Sequence, residues 1–216
     1  MINTMEKEQK DQSGNFQLKA DLEGNYLLNK GHKAEKNIGI FYAPSGGSVH
    51  KVARLIKQKL AGEQPDIFVI SEITPFKLLD YRNLILVCST LGRNTWEMEQ
   101  KDPWSSFIPQ MLRLRLEGRR VAIAGLGDHV SYPNNFVDGM GILAQTVEEI
   151  GGKLIGATET RDYVFNDSRA LKEGRFIGLP LDEDYESDKT EGRIEQWLEK
   201  IRPEMSIELE EKRNRL

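Results

Sequence analysis

The chain has 216 residues, of which 38% are hydrophobic and 30% charged, with 30 Lys and Arg against 34 Asp and Glu for a formal net charge of −4. That length suits one full-sized domain with extra elements at its ends, the mild acidity argues against nucleic acid as a partner, and no apolar run is long enough to span a bilayer. A single cysteine, Cys88, excludes an internal disulfide and agrees with a reducing compartment; the polar start MINTMEKEQKDQSGN lacks an apolar signal core, so the cytoplasm is the expected location.

Residues 1–36 read as a polar arm in which only Phe16, Leu18, Leu22, Tyr26, Leu27 and Leu28 could touch a body, with a short hairpin around Glu23–Gly24–Asn25. From Asn37 strands and helices alternate. NIGIFYA is a continuous apolar run of the kind that forms a strand buried on both faces. Val49, Val52, Ala53, Ile56 and Leu60 then recur at helical spacing. DIFVIS predicts a second strand and NLILVCST a third. After a loop, Trp104, Phe107, Ile108, Met111 and Leu112 supply a helix stripe. RRVAIAGLG predicts the fourth strand, Phe136 to Ile150 a helix ended by Gly151–Gly152, KLIGA the fifth strand and Thr190 to Ile201 a closing helix. The tail, residues 202–216, is strongly charged and reads as a frayed helix or a disordered end. This alternation makes a doubly wound α/β domain, residues 37–201, with a parallel sheet and helices on both faces.

In such sheets ligands sit beyond the carboxyl ends of the strands. The expected rim is therefore Pro44–Val49, Thr90–Pro103 and Gly127–Asn135. The first of these, APSGGSV, joins a strand to a helix and leaves N–H groups free at the helix N-terminus, where the macrodipole favours an anion and a phosphate is the usual occupant. The plain alternative is a strand-to-helix turn with Ser48 as its N-cap. Trp104 and Trp197 fall on helix stripes and belong in the core, Cys88 reads as an inert buried hydrophobe, and His50 is expected on the outer face of the first helix. His129, in a rim loop, is a candidate for a ligand-edge role. The three histidines lack metal-ligand spacing, so no metal is expected.

Four stretches together resemble the flavodoxins, specifically the long-chain type: IGIFYAPSGGSVHKVA, GRRVAIAGLGDHVSYPNNFVDGMGIL, GGKLIGATETRDYVFNDSRAL and GRFIGLPLDEDYESDKTEGRIEQW. The resemblance covers Asn37 to Ile201. It implies a five-stranded parallel sheet of order 2-1-3-4-5, with an insertion splitting the fifth strand around Asp162–Tyr163–Val164–Phe165 and Phe176–Ile177–Gly178–Leu179. It also implies FMN, held by three loops. The first contributes Pro44, Ser45, Gly46, Gly47, Ser48 and Val49. Read without a gap, this loop has no hydroxyl at the family's threonine positions; shifted by one, it places Ser45 and Ser48 on two of them. Each hydroxyl bond lost to a phosphate costs about 1.5–3 kcal/mol. The second loop contributes Thr90, Leu91, Gly92, Arg93 and Trp96, where the family has Thr-Trp; Trp96 or Leu91 would cover the inner flavin face. The third contributes Gly127 and Asp128 at the pyrimidine edge and the Tyr132 ring on the outer face, with stacking worth on the order of 1 kcal/mol.

The implied function is single-electron transfer between redox partner proteins, a reductase and an acceptor, by a cytoplasmic monomer that is not an enzyme, since the cofactor carries the chemistry. Gly92 would present a carbonyl to the flavin N5. Arg93, with Arg113, Arg115, Arg119 and Arg120 following, would raise the potential of the second reduction step. The acidic run 182–188 reads either as a docking surface for a basic partner or as a solvated loop. Two rival functions remain on the same fold: a binding or interaction module that has lost FMN or takes another ligand, and an FMN-dependent reductase.

Overall fold

The apolar runs rich in Ile, Val, Leu and Phe form the strands of one parallel sheet, because only a site covered on both faces can bury them without alternation. The structure, a computed structural model, describes residues 34–89 and 102–213. Its elements are β1 (Lys36–Tyr42), α1 (Gly47–Lys59), β2 (Asp66–Val69), β3 (Tyr81–Cys88), α2 (Pro103–Met111), β4 (Arg120–Leu126), α3 (Asp138–Glu149) and β5 (Lys153–Ile155), followed by three short strands, β6 (Thr158–Glu159), β7 (Leu171–Lys172) and β8 (Arg175–Phe176). The chain ends in β9 (Leu179–Leu181) and α4 (Thr190–Arg213).

The sheet order is β2-β1-β3-β4-β5, as the resemblance implies, and its last position is shared. Arg120–Ala122 of β4 pairs with Lys153–Ile155 of β5, and Ala124–Leu126 pairs with Leu179–Leu181 of β9. The fifth strand is thus one strand in two pieces, and the chain between them forms an antiparallel sheet of order β6-β8-β7. An aromatic cluster roots this insertion: Tyr163, Phe165 and Phe176 each lie within 6.2 Å of Phe136, ring centre to ring centre. Asn166 and Asp167 donate their N–H groups to the Pro133 carbonyl, so the insertion braces the loop between β4 and α3.

Two cores flank the sheet. One gathers Phe41, Leu84, Leu86, Trp104, Met111, Ile123, Met140 and Leu143 against α2 and α3. The other gathers Ile40, Val52, Ile56, Val87, Ala124, Trp197 and Ile201 against α1 and α4. The stripe of α1 is buried as its spacing predicts, and so are Trp104, Trp197 and Cys88; burial pushes the Cys88 thiol far up, which keeps it protonated. Leu112 departs from its stripe: α2 ends at Met111, and Leu112 is exposed. The closing helix runs past Ile201 to Arg213, through the first twelve residues of what reads as a charged tail. The Glu23–Gly24–Asn25 hairpin expected in the arm lies outside the described residues.

At the amino end of the sheet Asp66 accepts from Lys36 Nζ at 2.8 Å and from the Tyr81 hydroxyl at 2.7 Å. The Lys36 bond first, then the Tyr81 bond, hold its carboxyl below the ordinary range against the opposing effect of burial. A depressed folded pKa adds stability above the unfolded value of about 3.9 and loses it as pH falls through the folded one. Asp66→Asn should therefore cost less than about 1 kcal/mol at neutral pH, because the pair is half exposed. The two unfolding midpoints should converge as the buffer is taken toward pH 2, and parallel pH profiles would contradict the assignment.

Candidate functional site

The strand order reverses between β1 and β3, so their carboxyl ends open a crevice, which β4 and β9 extend. A cleft of about 330 Å³ lies there. Its first wall is the β1–α1 turn, with Pro44, Gly46, Gly47, Ser48 and Val49 facing it. Gly46 occupies the N-cap position with φ 105° and ψ 179°, a conformation open essentially to glycine alone, and Gly47 follows at φ 60°. The first intrahelical N–H bond is from His50 to Gly46 O, so the N–H groups of Gly47, Ser48 and Val49 precede the helical ladder. No side chain caps this end, and no acidic residue lies in the first turn. Ser48 is therefore not the N-cap. A β-carbon placed on Gly46 or Gly47 would meet nothing within 4 Å, so the turn presents main-chain donors to open space.

The opposite wall comes from Gly127, Asp128 and Tyr132 after β4 and from Glu183 and Asp184 after β9, with Ser89 and Leu126 between. Asp128 Oδ1 accepts from the N–H groups of Val130 at 2.9 Å and Ser131 at 2.6 Å. Burial raises its pKa, but the hydroxyl and N–H of Ser131 and the N–H of Val130 outweigh it, and the carboxyl stays ionised below its ordinary value. The loop is tight: a β-carbon on Gly127 would stand 2.8 Å from Val137 N. Tyr132 leaves 45% of its surface exposed at the mouth.

Eight of the residues expected at the rim thus meet at one cleft: Pro44, Gly46, Gly47, Ser48, Val49, Gly127, Asp128 and Tyr132. Ser45 is exposed and does not line it. Thr90, Leu91, Gly92, Arg93 and Trp96 lie outside the described residues. Four lining residues were missed. Ser89 and Leu126 sit one position earlier than the expected loops, while Glu183 and Asp184 follow the second half of the split strand, where the carboxyl-end rule applies equally.

Several side-chain expectations are corrected. His50 does not face outward: its Nδ1 stands 2.7 Å from the Tyr42 hydroxyl, over the end of β1. His129 has no place in the cleft lining, since its ring is held by Asp182, 2.5 Å away. Arg113, Arg115, Arg119 and Arg120 cannot tune the site, because they lie between the end of α2 and the start of β4, at the amino end of the sheet; Arg119 donates to Leu79 O there at 2.7 Å. Most of the acidic run is engaged internally. Asp182 is fully buried, Glu183 accepts from the Thr190 hydroxyl, and Glu186 binds Arg193 and Lys189. Asp184 and Asp188 are the carboxylates of the run left exposed.

Among the described residues no His, Cys, Asp or Glu cluster could hold a metal ion, and no helix is long and apolar enough to cross a membrane. The fold and cleft define a class: a doubly wound α/β protein with an uncapped helix N-terminus facing a cleft at its topological switch point. Comparison with known proteins narrows it. The family model for flavodoxin matches residues 40–197. A flavodoxin of Nostoc sp. is 35% identical over 173 residues, covering 80% of this chain and 99% of that protein. One from Klebsiella pneumoniae is 39% identical over 171 residues, covering 77% and 97%. Among solved structures, Fusobacterium nucleatum flavodoxin bound to flavin mononucleotide superposes with a TM-score of 0.70 at 27% identity, covering 78% of this chain and 98% of that one. The chain belongs to the flavodoxin family, and its split fifth strand is the feature of the long-chain members.

Proposed function

We propose that this protein binds FMN in the cleft between the β1–α1 turn and Tyr132 and carries single electrons between redox proteins, in a reducing compartment that suits its lone buried cysteine. The observation that carries the reading is the open turn at Gly46–Val49. It offers successive N–H groups and a helix dipole to an anion, with no side chain of its own capping the helix. FMN fits that chemistry: the N–H groups of Gly47, Ser48 and Val49 would hold its phosphate together with the Ser48 hydroxyl, and Tyr132 would face its ring.

Bound FMN supplies the redox chemistry, and the chain supplies orientation and electrostatics. Tyr132 gives a flat wall that stays partly open to solvent and partners. Asp128, Glu183 and Asp184 bring carboxylates to the ring side of the cleft and oppose further negative charge there. No proton-transfer base or nucleophile is required of the protein, which separates this reading from a reductase acting on a small molecule.

The test is direct. The purified chain, supplied with FMN, should be yellow and take up two electrons in two separate one-electron steps on reductive titration. A chain that binds no FMN at high micromolar concentration would instead be an interaction module on the same fold. Within the site, Gly46→Ala should weaken FMN roughly tenfold to hundredfold. The cost is about 1–3 kcal/mol of backbone strain at a glycine-only conformation. The exposed turn can relax in the free protein, so the cost appears in affinity and the unfolding midpoint hardly moves. Flavin fluorescence quenching measures it, and unchanged affinity would remove Gly46 from the cradle.

A further inference from the structure

The ring-side wall of the cleft is made of two loops whose tie lies 53 residues apart in the chain. One runs from Gly127 to Tyr132 and the other carries Glu183 and Asp184. His129 joins them. Its N–H donates to Asp182 Oδ2 at 3.0 Å, and its ring Nδ1 stands 2.5 Å from the same oxygen. The other oxygen of Asp182 accepts from the N–H groups of Asp184 and Tyr185, each at 2.9 Å. A carboxylate that already accepts three N–H bonds acts as an acceptor toward the ring as well, so Nδ1 carries the shared proton. The imidazole is 16% exposed and packs edge-on against Phe136 and Tyr185, with ring centres 6.0 Å apart in both cases.

Neither His129 nor Asp182 lines the cleft, yet residues adjoining each of them do: Asp128 on one side, Glu183 and Asp184 on the other. The pair also fixes what those neighbours can do. With its N–H groups held by Asp182, the turn at Asp184 and Tyr185 has one orientation, and the first residues after Asp128 are anchored at a buried point.

We propose that His129 is a positioning residue of the flavin site: its bond to Asp182 locks the Gly127–Tyr132 loop onto the Glu183–Asp184 loop and preassembles the ring-binding wall. This rests on the FMN reading above. The clamp's bonds involve no residue of the Gly46–Val49 cradle, so its loss acts on the ring's share of the affinity and spares the phosphate's. A preassembled wall gains affinity by removing ordering cost at the moment of binding.

The experiment titrates the full chain, freed of flavin, with FMN and with riboflavin, which has the ring and no phosphate. Wild type is compared with His129→Ala and with His129→Asn, whose amide nitrogen falls where Nδ1 stands. His129→Ala should bind both ligands at least about tenfold more weakly, with the ratio of the two Kd values held within about threefold. His129→Asn should restore both to within about threefold of wild type. The proposal is overturned by wild-type affinities in His129→Ala, by His129→Asn binding as weakly as His129→Ala, or by a loss confined to FMN. If the alanine variant does not fold, His129→Asn decides alone: near wild-type Kd values for both ligands support the clamp, and a tenfold loss ends it. A wild-type chain that binds neither ligand is a different failure, that of the FMN reading itself.

Discussion

Asp182→Ala is expected to lower the stability of the fold by about 3 kcal/mol, a large share of what a domain of this size has in hand. The carboxylate is fully buried and accepts four hydrogen bonds, three of them from main-chain N–H groups of His129, Asp184 and Tyr185. Alanine leaves those donors without an acceptor, and each buried orphan costs about 1–3 kcal/mol. The sum falls short of additivity because Asp184 and Tyr185 are exposed and can recover water on one side. Asp182→Asn keeps the volume and one acceptor oxygen, so it should recover part of the loss while turning an NH₂ group toward a donor. Urea unfolding monitored by tryptophan fluorescence measures both; the midpoint should fall with the slope unchanged. An alanine variant within about 0.5 kcal/mol of wild type would show that the loops rehydrate these groups without cost. FMN affinity should fall in the same variant, since the carboxylate holds both loops of the ring-side wall.

That hub shows where sequence reasoning ends. The order of the sheet was implied by the family resemblance, whereas the strands and the stripe of α1 were legible because each depends on local periodicity, which a sequence displays. The cradle was legible for the same reason: a strand, a Gly-Gly turn and a helix are contiguous at residues 36–59. His129 and Asp182 are contiguous only in space, and no spacing rule pairs them. The four arginines failed differently. Their closeness in sequence to the flavin loop suggested closeness in space. Yet a connection from a helix into the next parallel strand lies at the amino end of a sheet, and the ligand lies at the other end. Glu183 and Asp184 were legible in principle, since the second piece of the split strand obeys the same rule as the first. Carboxylates thus reach the cleft from the end of β9, and the four arginines lie at the opposite end of the sheet.

The split itself makes the strongest demand on a single position. Where β5 leaves β4 and β9 takes its place, Gly178 lies against the β4 main chain, and a β-carbon there would stand 2.1 Å from the Ile123 carbonyl oxygen and 3.1 Å from Met140 Sδ. The methionine could move; the carbonyl belongs to a central strand paired on its other side with Leu86 of β3. Gly178→Ala must therefore push β9 off β4, breaking the pairing of Ala124–Leu126 with Leu179–Leu181. The expected loss is about 3 kcal/mol or more, or a fall in Tm of roughly 6–12 °C. Gly192→Ala is the control, an exposed position in the first turn of α4 with nothing within 4 Å of the added carbon. It should be neutral or gain up to about 1 kcal/mol from helix propensity. Equal midpoints for the two alanine variants would mean that the strand has room to shift. If β9 moves as expected, it carries Asp182, Glu183 and Asp184 with it, so Gly178→Ala should also weaken FMN at temperatures where the domain is still folded, although Gly178 does not line the cleft.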